Sequence, residues 1–393
     1  MEDIEIVYER DTGFGTERSP VQVNAQSYVT NLLYQIAIQE PYKLTVYELA
    51  QQLSLDLEMV KKRLSAMEQI GEIHCRGGSY RLCFPVFLRN DVQKITVLLK
   101  KKTPEIGENI VKLLDQIRPF CEQLSCRQVF SERRLLYHIL CDEVLLGFAH
   151  DFWEKTPLFT TSRYGRKQRN RLLVGYERSN ILAGHSNQMI CKTQHYSGKK
   201  ITYISFGDSN GRRKDMCSLY EQRKEDSHTL YEMCSPIVGD LLTRKTWEEV
   251  MDQCDSLLER IIFSKQPVLL EKDNEEIVEF LAELGYITKP AYGRPIYVKV
   301  PVFFPEEEPL IQKIGEELLM GIQTQVNQLM EAVFFQIPEL TAIRHKVQEK
   351  HIGYELWRLL VGEINQYLVE RGVVEKPIFR DQEGRFLQSI YFN

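Results

Sequence analysis

Two groups of basic side chains carry the clearest chemistry in this chain. Lys61, Lys62 and Arg63 form one run, with Arg76 and Arg81 close behind. Arg163, Arg166, Lys167, Arg169, Arg171 and Arg178 form another, opposed locally by Glu177 alone. Cations at this density neutralise phosphates, which supplies the sequence-independent part of nucleic-acid affinity. Tyr164, Tyr176, Tyr196 and Tyr203 lie among or after the second group, so base stacking could accompany backbone contact. A solvated basic surface is the alternative for either group. Catalytic patterns are thin by comparison: GxSxG, HExxH, the P-loop and GxGxxG are all absent. His185, Cys191, His195, Cys217, His228 and Cys234 could form a Cys-His pair or a zinc site only if folding gathers them, and their spacing gives no sign of it. The expectation is a non-enzyme without catalytic residues, metal or cofactor.

The first basic run sits in a segment with clear local grammar. Tyr28, Leu32, Leu33, Ile36 and Ile38 give a helical stripe that ends at Pro41. Thr45 can cap a second helix over Val46 to Leu53, because its hydroxyl accepts an exposed first-turn amide. After a short turn at Ser54-Leu55-Asp56, Val60, Leu64, Met67 and Ile70 line one face of a third helix that stops at Gly71. Two short β stretches then flank Gly77-Gly78.

Helix, short helix, turn, helix and hairpin, written as TVYELAQQLSLDLEMVKKRLSAMEQIGEIHCRGGSYRL, resembles the winged helix-turn-helix DNA-binding domain of bacterial transcriptional regulators. The resemblance covers residues 25–87, about a sixth of the chain, and identifies a superfamily without a single member. It implies double-stranded DNA as partner, with Lys61, Lys62 and Arg63 at the major groove and Arg76 and Arg81 on the wing. Glu58 and Glu68 dilute that charge, and a winged helix bound to protein is the competing expectation.

The chain also repeats itself. EQIGEIHCRGGSYRLCFPVF (68–87) pairs with AELGYITKPAYGRPIYVKVPVF (282–303), aligning Gly71 with Gly285 and Pro85-Val86-Phe87 with Pro301-Val302-Phe303. Residues 135–159 pair with 355–379 through Glu143 and Glu363, Pro157 and Pro377, and Phe159 and Phe379. Gly165-Arg166 and Gly384-Arg385 then both suit a turn before a β stretch. Pro41 to Gly71 spans 30 residues, whereas Pro267 to Gly285 spans 18, so the second copy lacks about one short helix with its turn. Its remaining helix, Asn274 to Glu283, carries four acids and no base, a surface that phosphate repels and that suits packing or a protein partner. Apolar stripes through Leu136, Ile139, Leu140, Val144 and Phe148, and through Leu356, Leu359, Leu360, Ile364 and Leu368, mark the scaffold helices. A small-molecule effector, if one binds, is expected in the crevice between those helical layers.

The expected fold is therefore mainly α with small β-hairpins (α+β). It comprises an arm (1–24), a winged helix (25–87), a helical scaffold (88–164), a basic β-rich insert (165–240), a degenerate winged-helix-like segment (241–303) and a second scaffold (304–393). The net charge of -5 argues against nucleic acid only until the charge is mapped, because the insert and the first reading surface are basic. Nine scattered cysteines without a CxxC fit reduced thiols. Acids interrupt every apolar window short of a membrane span, and the acidic Met1-Glu2-Asp3-Ile4-Glu5 is unlike a secretory leader, so a cytoplasmic protein is expected.

Overall fold

Capping sets the helices of the N-terminal third. In the computed structural model, which describes residues 2–8, 19–154, 173–178, 189–209, 213–224, 234–272, 274–289 and 291–393, α1 (Pro20–Asn24) and α2 (Val29–Ile38) precede α3 (Val46–Leu53) and α4 (Leu57–Gln69). Thr45 Oγ1 accepts from the Glu48 amide while the Glu48 carboxylate accepts from the Thr45 amide at 2.7 Å, which satisfies two first-turn donors of α3. Asp56 caps α4 by accepting from the Met59 amide at 2.8 Å, which satisfies one first-turn donor. Val60, Leu64 and Met67 of α4 are buried, as are Leu49, Ala50 and Leu53 of α3. Truncating any of the large ones to alanine costs about 2–5 kcal/mol. Gly71 ends the helix at φ +80°, and β2 (Ile73–Arg76) and β3 (Ser79–Leu82) pair antiparallel through Gly77-Gly78, both in the left-handed region.

Helix accounts for about 58% of the described residues and strand for 15%, so the architecture is mixed α+β with helices dominating. The chain divides into two compact units. One comprises Met1–Ile110, Gly147–Ser186 and Leu319–Ile364; the other comprises Val111–Leu146, Asn187–Leu318 and Asn365–Asn393. Contacts thus group 111–146 with the later part of the chain and 319–364 with the earlier part. α5 (Arg89–Cys121), with 33 residues, spans about 50 Å and contributes to both units.

In the first unit, β1 (Ile4–Tyr8) pairs antiparallel with β5 (Leu173–Glu177), and β4 (Val86–Phe87) pairs parallel with the other side of β5. The second unit contains α6 (Glu132–Leu136), a π-helical stretch at Tyr137–Phe148, α8 (Met216–Lys224), α9 (Pro236–Arg244), α10 (Trp247–Phe263) and α11 (Glu275–Glu283). α7 (Ala149–Glu154) belongs to the first unit. The sheet of the second unit runs β6 (Ile190–Ser197), β7 (Ile201–Asp208), β10 (Gly384–Phe392), β8 (Val302–Phe303), with β9 (Phe379–Arg380) on β10 as well. α12 (Glu308–Gln336), α13 (Thr341–Arg344) and α14 (Glu349–Glu370) complete the chain.

The two units share local details. Phe87 pairs with Tyr176 and stacks on it at 5.8 Å; Phe303 pairs with Tyr391 and stacks on it at 4.7 Å, again across a parallel strand pair. The Cys83 amide donates to the Glu72 carbonyl and the Lys299 amide to the Tyr286 carbonyl, each at 2.8 Å. The Asp91 carboxylate accepts from the Leu88 amide at 2.9 Å and from the Thr341 amide at 3.3 Å. In the other unit, the Glu307 carboxylate accepts from the Phe304 amide at 3.0 Å and the Ser125 amide at 2.7 Å. Asp91 and Glu307 lie 216 positions apart, as do Leu88 and Phe304, and Ser125 and Thr341. The chain from Ser264 to Asn274 forms no helix in its described residues, so α10 and α11 follow one another without a counterpart of α3 between them.

Candidate nucleic-acid interface

The basic residues of the first hairpin segment divide by partner. Lys61 and Lys62 are exposed on α4, and Arg76 is exposed at the end of β2 next to the Gly-Gly turn. Lys61 Nζ lies 2.6 Å from Glu58 Oε1, an exposed pair one turn apart on the helix, and that bond raises the lysine's pKa. Arg63 is half-buried and donates to Gln26 Oε1, so it ties α4 to the α1–α2 corner. Arg81 turns inward: its Nε donates to Tyr42 Oη at 2.8 Å and its Nη1 to the His345 carbonyl at 2.8 Å and the Lys346 carbonyl at 3.3 Å. The Leu82 amide donates to His345 Nδ1 at 3.2 Å, and Arg344 donates to the Ala37 carbonyl at 2.7 Å. The segment around α13 therefore holds both the hairpin and the end of α2. Arg163, Arg166, Lys167, Arg169 and Arg171 lie outside the described residues.

Hydrogen bonding also fixes how the hairpin meets α4. The Glu68 carboxylate accepts from the Cys75 amide at 3.0 Å, and buried Asn24 donates to Glu72 Oε1 at 2.7 Å. Of the acids diluting the charge of α4, Glu68 is thus engaged with the hairpin and Glu58 with Lys61. The face left open carries Lys61, Lys62, Ser65 and Gln69 with those two acids, and the hairpin adds His74 and Arg76.

The acidic helix α11 buries Ile277, Val278, Phe280 and Leu281. Glu276 pairs with Arg244, and Glu283 meets Lys214 at 2.5 Å and the Ser235 amide at 2.8 Å. Burial pushes the Glu283 carboxyl up, but the bonds from Lys214 and Ser235 outweigh it and hold it below the usual range. Glu275 and Glu279 keep solvent exposure in whole or part. Beyond α11 comes a hairpin richer in open charge than the first. Lys289, Arg294 and Lys299 are exposed there, as are Tyr292 and Tyr297. The sequence carries the signal for this, since Leu284 to Pro305 contains no acid, next to a helix with four.

Arg213 is buried and donates to the carbonyls of Ser205, Lys192 and Asp208 at 2.7–2.8 Å. Cys191 Sγ lies 3.2 Å from Ser209 Oγ, Cys217 Sγ points at the Tyr203 carbonyl, and His195 is exposed on β6; His185 and His228 lie outside the described residues. Burial pushes the thiols of Cys121 and Cys126 up to about 12 and that of Cys234 to about 11, which leaves them protonated and poorly nucleophilic. Among the described residues no group of three His, Cys, Asp or Glu side chains could hold a metal ion, and no helix is long and apolar enough to cross a membrane. In the first unit, Trp153 meets Trp357 edge to face at 5.3 Å and His150 stacks on Tyr354 at 4.7 Å, so these scaffold aromatics pack on one another. No family model matches the chain, and neither does any curated protein or solved structure.

Proposed function

We propose that the protein binds duplex DNA through its N-terminal helix-and-hairpin segment, in transcription control, and that it is a tandem duplication of a winged-helix-plus-helical unit with an insert. The observation that carries the DNA reading is the open face of α4, where Lys61 and Lys62 face solvent beside a hairpin whose tip offers Arg76. Arg63 and Arg81 serve this face by positioning, because their guanidinium groups are spent on Gln26 and on the α13 segment. The duplication is supported by the paired landmarks: two Phe-Tyr stacks on parallel strand pairs, two hairpin bonds of one kind and two carboxylates 216 positions apart bonding equivalent amides. An anisotropy titration of a labelled duplex over a salt series tests the binding. Each phosphate contact contributes about 0.9 to the slope of log affinity against log salt, so Lys61→Glu/Lys62→Glu should cut the slope by about 2 and weaken binding throughout. Affinity indifferent to both salt and the double variant would overturn the reading.

A further inference from the structure

We infer that the second hairpin, in residues 286–289 and 291–300, is a binding site for single-stranded nucleic acid, in which Lys289, Arg294 and Lys299 hold phosphates and Tyr292 and Tyr297 stack on bases. The frame is ordered by its backbone bonds. The Thr288 amide donates to the Tyr297 carbonyl at 2.8 Å, the Lys299 amide to the Tyr286 carbonyl at 2.8 Å, and the Arg294 amide to the Ala291 carbonyl at 3.0 Å around Gly293 at φ +71°. The Ile296 amide donates to the Val268 carbonyl at 2.9 Å, which docks the return strand onto the segment after α10.

Alternation then decides which side chains face out. Ile296, Val298 and Val300 point into the core of the second unit, so Tyr297 and Lys299, at the intervening positions, point away from it. Tyr292 and Arg294 sit in the turn itself. Tyr292 is 83% exposed and Tyr297 60%, an uncommon state for two aromatic rings five positions apart. Among the described residues none of the three cations is held in an ion pair. A duplex hides the faces of its bases within the stack, whereas a single strand offers both faces and phosphates at short intervals. The helix that precedes this hairpin, α11, carries Glu275 and Glu279 toward solvent and has no cation to enter a groove. An acidic peptide would satisfy the charges and leave the rings without partners.

The test uses the full chain and a labelled oligothymidylate. Tyr292→Ala and Tyr297→Ala should each weaken binding by about tenfold, while Tyr292→Phe/Tyr297→Phe, which keeps the rings, should bind as the parent does. Lys289→Gln/Arg294→Gln/Lys299→Gln should reduce the salt slope by about 2, at about 0.7 for each phosphate of a single strand. Lys61→Glu/Lys62→Glu should leave this titration unchanged, so failure of the duplex reading and failure of the hairpin site are separable. The inference falls if the parent chain does not bind the oligonucleotide at low salt, if the alanine variants bind like the phenylalanine pair, or if polyglutamate competes as well as the oligonucleotide does.

Discussion

The two hairpin segments share one kind of closing backbone bond and carry opposite surfaces. In the first, α4 carries the exposed cations and the hairpin is short, with Arg81 turned back to hold the α13 segment. In the second, the helix is acidic and partly neutralised by Arg244 and Lys214, while the longer hairpin carries three exposed cations and two exposed tyrosines. A bond of one kind, Cys83 to Glu72 and Lys299 to Tyr286, closes both hairpins, and the surface chemistry around it differs. Charge at a site has to be read from which side chains are left over after packing, because a cation in the sequence is as often an internal fastener as a contact.

The strongest way to break the comparison is at the paired carboxylates. Glu307 is buried and accepts from the amides of Phe304 and Ser125 and from Ser125 Oγ at 2.8 Å. Glu307→Ala strands those donors and should cost about 3–4 kcal/mol in urea denaturation. Asp91→Ala should cost less, about 2 kcal/mol, because its bonds to Thr341 are long at 3.3 Å and burial already raises its pKa, although bonds from Leu88 and Thr341 counter this. If either variant is silent, the two junctions are not equivalent parts of one repeated design.

A difference in pH response should follow next in size. Burial, reinforced by the positive charges of Arg344 and Arg81, lowers the pKa of His345 from 6.5 to about 4. The folded chain therefore keeps the ring neutral at acidities where the unfolded chain takes up a proton. Stability from this group is complete above pH 6.5 and is lost as pH falls toward 4, by about 3 kcal/mol in all. His345→Asn retains an acceptor for the Leu82 amide and cannot titrate in this range, so denaturation at pH 7 and pH 4.5 should show a smaller loss for the variant than for the parent. Val129, 216 positions earlier, is exposed and has no proton to exchange, so this position carries no such response; in the second unit burial lowers the pKa of His138 instead.

What sequence could reach is visible in these same residues. The face of α4, the Thr45 cap, the helix-ending Gly71 and Gly285 and the paired Pro-Val-Phe motifs are local patterns, and each has a counterpart in the structure because helical and strand periodicity report which face is apolar. Arg81 and Arg213 were out of reach for the opposite reason. Arg81 donates to a carbonyl 264 residues away, and Arg213 looks from sequence like a turn residue yet is buried among carbonyls of its own sheet. No spacing rule names a partner at that distance. The interleaving of 111–146 and 319–364 is a second such case, because apolar stripes on long helices say that they pack without saying against what.

Arg81→Ala sharpens the contrast between fasteners and contacts. It removes a guanidinium bonded to Tyr42 Oη and two carbonyls of the α13 segment, and should destabilise the first unit by about 2 kcal/mol. Arg76→Ala, at an exposed site, should leave the denaturation midpoint within experimental error and weaken the duplex titration instead. The reverse pattern would exchange the roles of the two arginines.

The smallest effect concerns a single exposed acid on the open face of α4. Glu58 pairs with Lys61 within one turn of α4, and both side chains are open to solvent, so the pair adds little to stability. For an approaching phosphate, however, Glu58 is a negative charge at the place where contact is expected, and it competes for the ammonium group of Lys61. Glu58→Gln keeps the size and helix propensity of the side chain while removing that charge. Duplex affinity should then rise by no more than about fivefold at low salt and converge on the parent value at high salt, where screening removes the repulsion. The oligothymidylate titration should not respond, since the second hairpin has no acid of its own between Leu284 and Pro305 to relieve. A gain confined to the duplex would place Lys61 at the contact; a gain shared by both ligands would mean that Glu58 acts only through the net charge of the chain.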